Sequence, residues 1–326
     1  MRIAFVGKGG SGKTTVASLF ILLKEIQTSE NIWAIDADLN MHLAEQLQLK
    51  EYTRSLKSIS EANSEKDIKK HLIGNNKRIK EISHFKKTTP PSTNSNFIIV
   101  QDNENYIIKT YSIRRDNLSL SIVGTYQPEG IGTSCYHNNL GVLEGMLSHT
   151  IDTKSTVVVD MVAGIDAFAG TLHSQFDMIV LVLEPTKKSL EVYTQYKQLA
   201  LEAGIWQNIF VVGNKITTEK DQNFIKQNID SDKLLGFLNS SEHIKEVEQG
   251  EATLDFNKLE QENQKVFTKI SEMLASRPLS YNARLAKLHE LHKRYVAQGY
   301  VKERFGNLAD QIDESFNFSE FVKQYE

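Results

Sequence analysis

Residues 1–20 read MRIAFVGKGGSGKTTVASLF. A short apolar run, Ile3–Val6, leads into Gly7-Lys8-Gly9-Gly10-Ser11-Gly12-Lys13-Thr14-Thr15, and helical spacing follows over Thr14–Ile26. The middle stretch fits G-x-x-x-x-G-K-[ST], which a chain of this length matches by chance roughly once in a hundred. Its setting between a strand and a helix is the one that phosphate binding requires. Glycines let backbone N–H groups curl around phosphate oxygens, and the helix N-terminus adds partial positive charge. Gly9, Gly10, Ser11, Gly12, Lys13, Thr14 and Thr15 are therefore the expected nucleotide cradle. Lys13 is expected to reach the β- and γ-phosphates and the Thr14 hydroxyl to bind Mg²⁺. The pattern needs one lysine, so Lys8 is left over.

Further apolar strand-like runs occur at Ile32–Ile35, Thr156–Val159, Met178–Leu183 and Ile209–Val212, with a helix at about Lys188–Ala203 ended by Gly204. Continuous apolar strands separated by helices predict an α/β fold. Its mostly parallel sheet is covered on both faces, and ligands gather at the strand C-termini. Met41–Leu49 reads as a short helix. Residues 50–96 are polar, and Phe97–Val100 with Tyr106–Tyr111, flanking Asp-Asn-Glu-Asn, suggests a hairpin. Residues of about 50–120 thus read as an insertion in a domain spanning 1–275. From Lys258 onward the pattern is helical. Arg277-Pro278 marks a break, and 276–326 reads as a helical extension with an apolar stripe at Leu285, Leu288, Leu291 and Tyr295.

Carboxylates stand where strands end. Asp160 closes Val157–Val159 and is placed to hold Mg²⁺ from the far side. The following Met161–Gly164 can form a loop that senses the γ-phosphate. Asp36 and Asp38 in AIDADLN can hold water near a metal-bound phosphate, although such residues also suit turns. Asn214-Lys215 follows another strand and is placed to read a purine edge. Reading guanine there calls for a carboxylate two residues after the lysine, but the position holds Thr217, which favours ATP.

Composition narrows the class. Of 326 residues, 40% are hydrophobic and 24% charged, and Lys+Arg 38 against Asp+Glu 41 leaves −3. That balance gives no general attraction to nucleic acid or anionic membrane. Residues 66–87 carry eight Lys/Arg against two Asp/Glu, which reads first as a solvated surface and second as a patch for an acidic partner. The tail 276–326 holds eight Lys/Arg and seven Asp/Glu, too balanced for a basic membrane helix. No run of about 18 apolar residues is present. A single cysteine, Cys135, excludes an internal disulfide and suits a reducing, cytoplasmic setting. His289 and His292 lie at i, i+3 in the extension and lack a third ligand nearby.

The loop GKGGSGKTT resembles the deviant Walker A motif of the MinD/ParA/nitrogenase iron protein superfamily. AIDADLN, PEGIG (128–132), CYHNNL (135–140), VVVDMVAGID (157–166), LVLEPTKKSLE (181–191), VVGNKI (211–216) and LLGFLNSSEHIKEVEQG (234–250) resemble its CooC-type ATPases. These are accessory factors for nickel insertion into carbon monoxide dehydrogenase. The resemblance implies ATP hydrolysis, with ADP as product, in a homodimer that forms on ATP binding. Lys8 would reach the partner's phosphates and Asp38 would position the attacking water. Asp160 would be the Walker B aspartate, and Asn214 would contact adenine. It also implies a client metalloenzyme of the carbon monoxide dehydrogenase kind. A Cys-x-Cys pair of that family aligns with Thr133 and Cys135, so only Cys135 remains as a candidate interface ligand for Ni²⁺ or Zn²⁺. His137 could join it in a symmetric site. Against this, a lone cysteine is more often a small packed residue. The alternative is a positioning or partition ATPase of the ParA/MinD kind that binds no metal.

Overall fold

The structure is a computed structural model that describes residues 1–124, 137–165, 168 and 170–326. Thr133, Cys135 and the PEGIG stretch lie outside the described residues. The strands among the described residues are β1 (Arg2–Gly7), β2 (Asn31–Ala37), β3 (Ile98–Ile99), β4 (Ile113–Arg115), β5 (Leu118–Ile122), β6 (Thr150–Ile151), β7 (Ser155–Met161), β8 (Met178–Leu183), β9 (Ile209–Ile216) and β10 (Leu234–Asn239). The helices are α1 (Lys13–Gln27), α2 (Leu43–Gln46), α3 (Ala62–Ile73), α4 (Tyr106–Tyr111), α5 (His137–Ser148), α6 (Lys187–Glu202), α7 (Glu219–Asn228), α8 (Glu242–Glu248), α9 (Gln261–Ala275), α10 (Tyr281–Val296), α11 (Gly299–Phe305) and α12 (Phe318–Val322).

Eight strands form one sheet in the order β10-β9-β8-β1-β7-β2-β5-β4. All pairs are parallel except β4 with β5. Both faces are buried, as near-continuous apolar strands require. Ala4, Val6, Trp33, Ile35, Val157 and Val159 face a core completed by α3, α4, α5 and α6. Ile3, Phe5, Ile32, Ala34, Val158 and Val180 face the opposite core, completed by α1 and α9. This is the expected three-layer phosphate-loop architecture. α6 ends as read, with Gly204 at φ +68°. Among the described residues no helix is long and apolar enough to cross a membrane.

The structure differs from the sequence reading in two places. The 97–111 stretch is not a hairpin. Ile98–Ile99 pairs in parallel with β6 in a separate two-stranded sheet, and 106–111 is helical. Asn105 explains the helix: its side chain accepts from Ile107 N at 3.2 Å, while its amide donates to Phe97 O at 3.0 Å. The cap thus starts a helix where a turn was expected. Second, β5 falls within the stretch read as insertion but lies inside the main sheet between β2 and β4. Its serines hid it. Ser119 and Ser121 interrupt the apolar run, yet both are buried, and Ser121 Oγ accepts from the Trp33 indole N–H at 2.9 Å.

The extension packs on the main domain. Leu285 and Val322 join Phe97 and Ile151 in a small apolar cluster. Beneath it, Arg284 donates to Asp177 Oδ1 at 2.6 Å and lies 3.7 Å from Asp152, which also accepts from Arg2 Nη2 at 2.9 Å. Burial alone would raise the Asp152 pKa. Arg2, the N-terminal amine and Arg284 outweigh it and hold that carboxyl well below the usual range. His292 is buried, with Nδ1 2.9 Å from Thr88 Oγ1 and Nε2 3.0 Å from Leu308 O. Both ring nitrogens are thus engaged by the protein itself.

Candidate nucleotide site

The loop between β1 and α1 is shaped by close approaches. A Cβ on Gly7 would stand 2.6 Å from Ser11 Oγ and 2.8 Å from Val182 O, so only glycine fits. Gly12 caps α1 at φ +87°, a conformation that side chains disfavour. Ser11 N donates to Lys8 O at 3.1 Å, closing the turn. Lys13, Thr14 and Thr15 form the first turn of α1, where backbone N–H groups lack helical partners.

Asp36, Asp38 and Asp160 all lie near this loop, without forming a three-carboxylate cluster. Asp36 ends β2 opposite Asp160 at the end of β7, in parallel register. Both are fully buried. Asp36 accepts from Asp38 N at 3.1 Å and Leu43 N at 3.0 Å. Neither oxygen of Asp160 has a hydrogen-bond partner among the described residues. The Thr14 hydroxyl faces Asp160 and pulls its pKa down, but falls short of hydrogen-bond geometry. Burial raises both carboxyls; the Asp38 charge adds to the rise at Asp36, and the Asp36 charge to the rise at Asp160. The Lys13 ammonium pairs with the Asp38 carboxylate, and Asn40 N donates to Asp38 Oδ1 at 3.0 Å. Two buried carboxyls, one with no partner, beside a threonine hydroxyl and a lysine form a hard-oxygen donor set that fits a divalent cation carried with phosphates.

Beside Gly12 and Thr15 opens a cavity of about 240 Å³. Asn214, Lys215 and Thr217 line one wall. Asn214 also donates to Ser11 O at 2.8 Å. Lys215 donates to Gly10 O at 2.7 Å and pairs with Glu184 at 3.1 Å, so its ammonium holds the loop. The nearby Asp221 carboxylate does not supply the missing guanine reader. Its Oδ2 accepts from Thr217 N, Thr217 Oγ1 and Thr218 N inside the α7 capping box. The sequence reading did not assign the opposite wall, Asn239, Ser240, Ser241, Asn263 and Phe267. Asn263 exchanges two hydrogen bonds with the Asn239 backbone, at 2.7 and 3.0 Å. Asn-Ser-Ser at the end of a strand was the available signal.

Lys8 is half-buried, and its ammonium has no hydrogen bond or ion pair among the described residues. The loop after β7 touches this region: Gly164 N donates to Gly7 O at 3.1 Å, and Tyr196 Oη donates to Gly164 O at 2.8 Å. Its far end is held by Glu144 of α5, whose Oε2 accepts from Thr171 N at 2.5 Å and Thr171 Oγ1 at 2.7 Å. Cys135 lies outside the described residues. Among the described residues, no group of three or more His, Cys, Asp or Glu side chains is gathered to hold a metal.

A glycine-shaped loop at a helix start, a lysine in it and carboxylates on the neighbouring strand ends define a phosphate-loop ATPase. No protein-family model matches the chain. The uncharacterized ATP-binding protein MJ0823 of Methanocaldococcus jannaschii is 31% identical over 248 residues, covering 75% of this chain and 87% of that protein. The carbon monoxide dehydrogenase accessory protein CooC of Rhodospirillum rubrum is 27% identical over 256 residues, covering 76% and 87%. A ParA family ATPase from Chlorobium tepidum shares the fold, with a TM-score of 0.54 at 14% identity, over 83% of this chain and 98% of that one. The chain belongs to the family of ATP-binding proteins that includes MJ0823, and its sequence is similar to that of CooC.

Proposed function

We propose that this ATPase is a homodimeric switch, in which each copy lends Lys8 to the nucleotide of the other. The observation that carries the reading is the pairing of Lys13 with Asp38 while Lys8 stays unpaired among the described residues. The lysine expected to hold phosphate in its own subunit is occupied by a carboxylate. The second lysine stands in the same loop with no described partner.

In this reading Lys13 leaves Asp38 for the β- and γ-phosphates when nucleotide enters. Asp38, released, accepts a proton from the attacking water and orients it. Thr14 and Asp160, with Asp36 behind them, hold the cation. When bound, Mg²⁺ supplies charge neutralisation at the β- and γ-phosphate oxygens. Adenine fits the cavity between Asn214 and Ser240. The similarity to CooC supports, as the client, a carbon monoxide dehydrogenase-like metalloenzyme, with Cys135 as the candidate ligand for nickel delivery.

The test is Lys8→Ala. Loss of ATP-dependent dimerisation in sedimentation, together with loss of turnover, supports the switch; wild-type behaviour in both removes it. A second reading, a positioning ATPase without metal, draws on the chain's single cysteine where a pair is expected. Titrating Ni²⁺ into wild type and Cys135→Ser separates the two. Binding lost in the variant supports metal delivery, and no binding by either supports the second reading.

A further inference from the structure

The basic segment 66–87 and the helical extension have no part in the ATP reading, yet they meet. Their junction is a pocket of about 390 Å³, within the range of small-molecule sites. Glu65 and Lys69 of α3, Phe85, Lys86 and Lys87 of the following loop, and Gly141 of α5 form one side. Tyr295 and Tyr300 of the extension form the other. It shares no lining residue with the cavity beside the phosphate loop.

The charges there are incompletely balanced. Lys69 pairs with Glu65, and Lys87 faces buried Glu144. Lys86 pairs with no carboxylate among the described residues. Its ammonium donates to Ser83 O at 2.5 Å and lies 3.0 Å from the centre of the Phe305 ring. Burial pushes that ammonium down to about 8, and Lys69 and Arg304 push the same way. An anion in the pocket would relieve both the desolvation and the repulsion.

We propose that this pocket is a second ligand site, taking a small organic phosphate that carries a flat ring. Phosphate concentrates charge in a compact group that lysine ammoniums meet as point charges. The tyrosines offer apolar faces with polar tips, suited to a ring. The pocket's volume of about 390 Å³, bounded by α3, α5, the 85–87 loop and the extension, suits a small molecule better than a peptide. The extension is then a part of the site, because both tyrosines come from it.

The experiment is calorimetric titration of phenyl phosphate into the full chain, with its phosphate loop first saturated with Mg·ADP. Saturable binding at one site per chain is expected. Lys86→Gln and Tyr300→Ala should each weaken it roughly tenfold, the scale of one charge-assisted contact, with ATP turnover unchanged. Tyr300 is 60% exposed, so its replacement keeps the test available if the lysine variant folds poorly. Absence of saturable heat, or equal binding by wild type and both variants, overturns the proposal. So does a glutamate-rich peptide that binds through the same residues more tightly than phenyl phosphate, which would assign the surface to a protein partner.

Discussion

Asp36 and Asp160 stand opposite each other on adjacent parallel strands, both at zero exposure. Two buried carboxyls at that separation resist joint ionisation. Burial, with Asp38 and despite Lys13, pushes Asp36 up to about 7. The protein without nucleotide therefore binds more protons here than the unfolded chain does. The stability this site contributes is present below pH 4 and is lost as pH rises toward 7. Mg·ADP should reverse the trend by favouring the ionised pair. Thermal melts across pH 5–8, with and without Mg·ADP, should show stabilisation by the ligand growing with pH. A ligand effect independent of pH would separate the pair from cation binding.

Asp38→Asn should act on binding and turnover in opposite directions. It removes the carboxylate that competes with phosphate for Lys13, so ATP should bind more tightly. It also removes the group proposed to orient water, so turnover should fall by roughly 10²-fold or more. Equilibrium binding and single-turnover assays measure the two halves. A parallel fall in both would assign Asp38 to folding of the loop.

Glu144→Ala tests how the loop after β7 is held. The carboxylate is buried, which raises its pKa, and it carries two hydrogen bonds from Thr171. Each is worth about 1 kcal/mol. Turnover should drop by about tenfold while nucleotide affinity changes less than about twofold, because the cradle itself is untouched. Stopped-flow nucleotide binding alongside steady-state hydrolysis separates the two effects.

Arg284→Leu strands Asp177 in the core. Breaking a buried ion pair from one side costs about 3–5 kcal/mol. Urea unfolding should show that loss, and adding Asp177→Asn should recover part of it, because the uncompensated charge is then gone. An unchanged midpoint in the single variant would place the extension outside the cooperative unit.

The sequence was most legible where one element carries its own signal. The phosphate loop, the strands β1, β2, β7, β8 and β9, and Asp36, Asp38 and Asp160 could be read from apolar runs ending in special residues. It was least legible where partners come from afar. Ser121 looks like a break in a strand until Trp33 supplies its hydrogen bond across the sheet. Asn105 reads as a turn until its amide reaches Phe97. Asn263 lies on a helix with nothing local to mark it, and only the fold brings it to Asn239. Nothing local to Lys215 marks the contacts of its ammonium with Gly10 O and Glu184, which the fold brings to it.

The burial of Trp33 has an optical consequence. The indole is fully enclosed among apolar side chains, its N–H is satisfied by Ser121, and it shares strand β2 with Asp36. The other tryptophan, Trp206, is half-buried with Lys233 4.9 Å from its ring. The folded chain thus carries one blue-emitting fluorophore three residues from Asp36 and one set beside a positive charge. Loosening of the sheet and changes near α6 can be followed as separate colours, without any label.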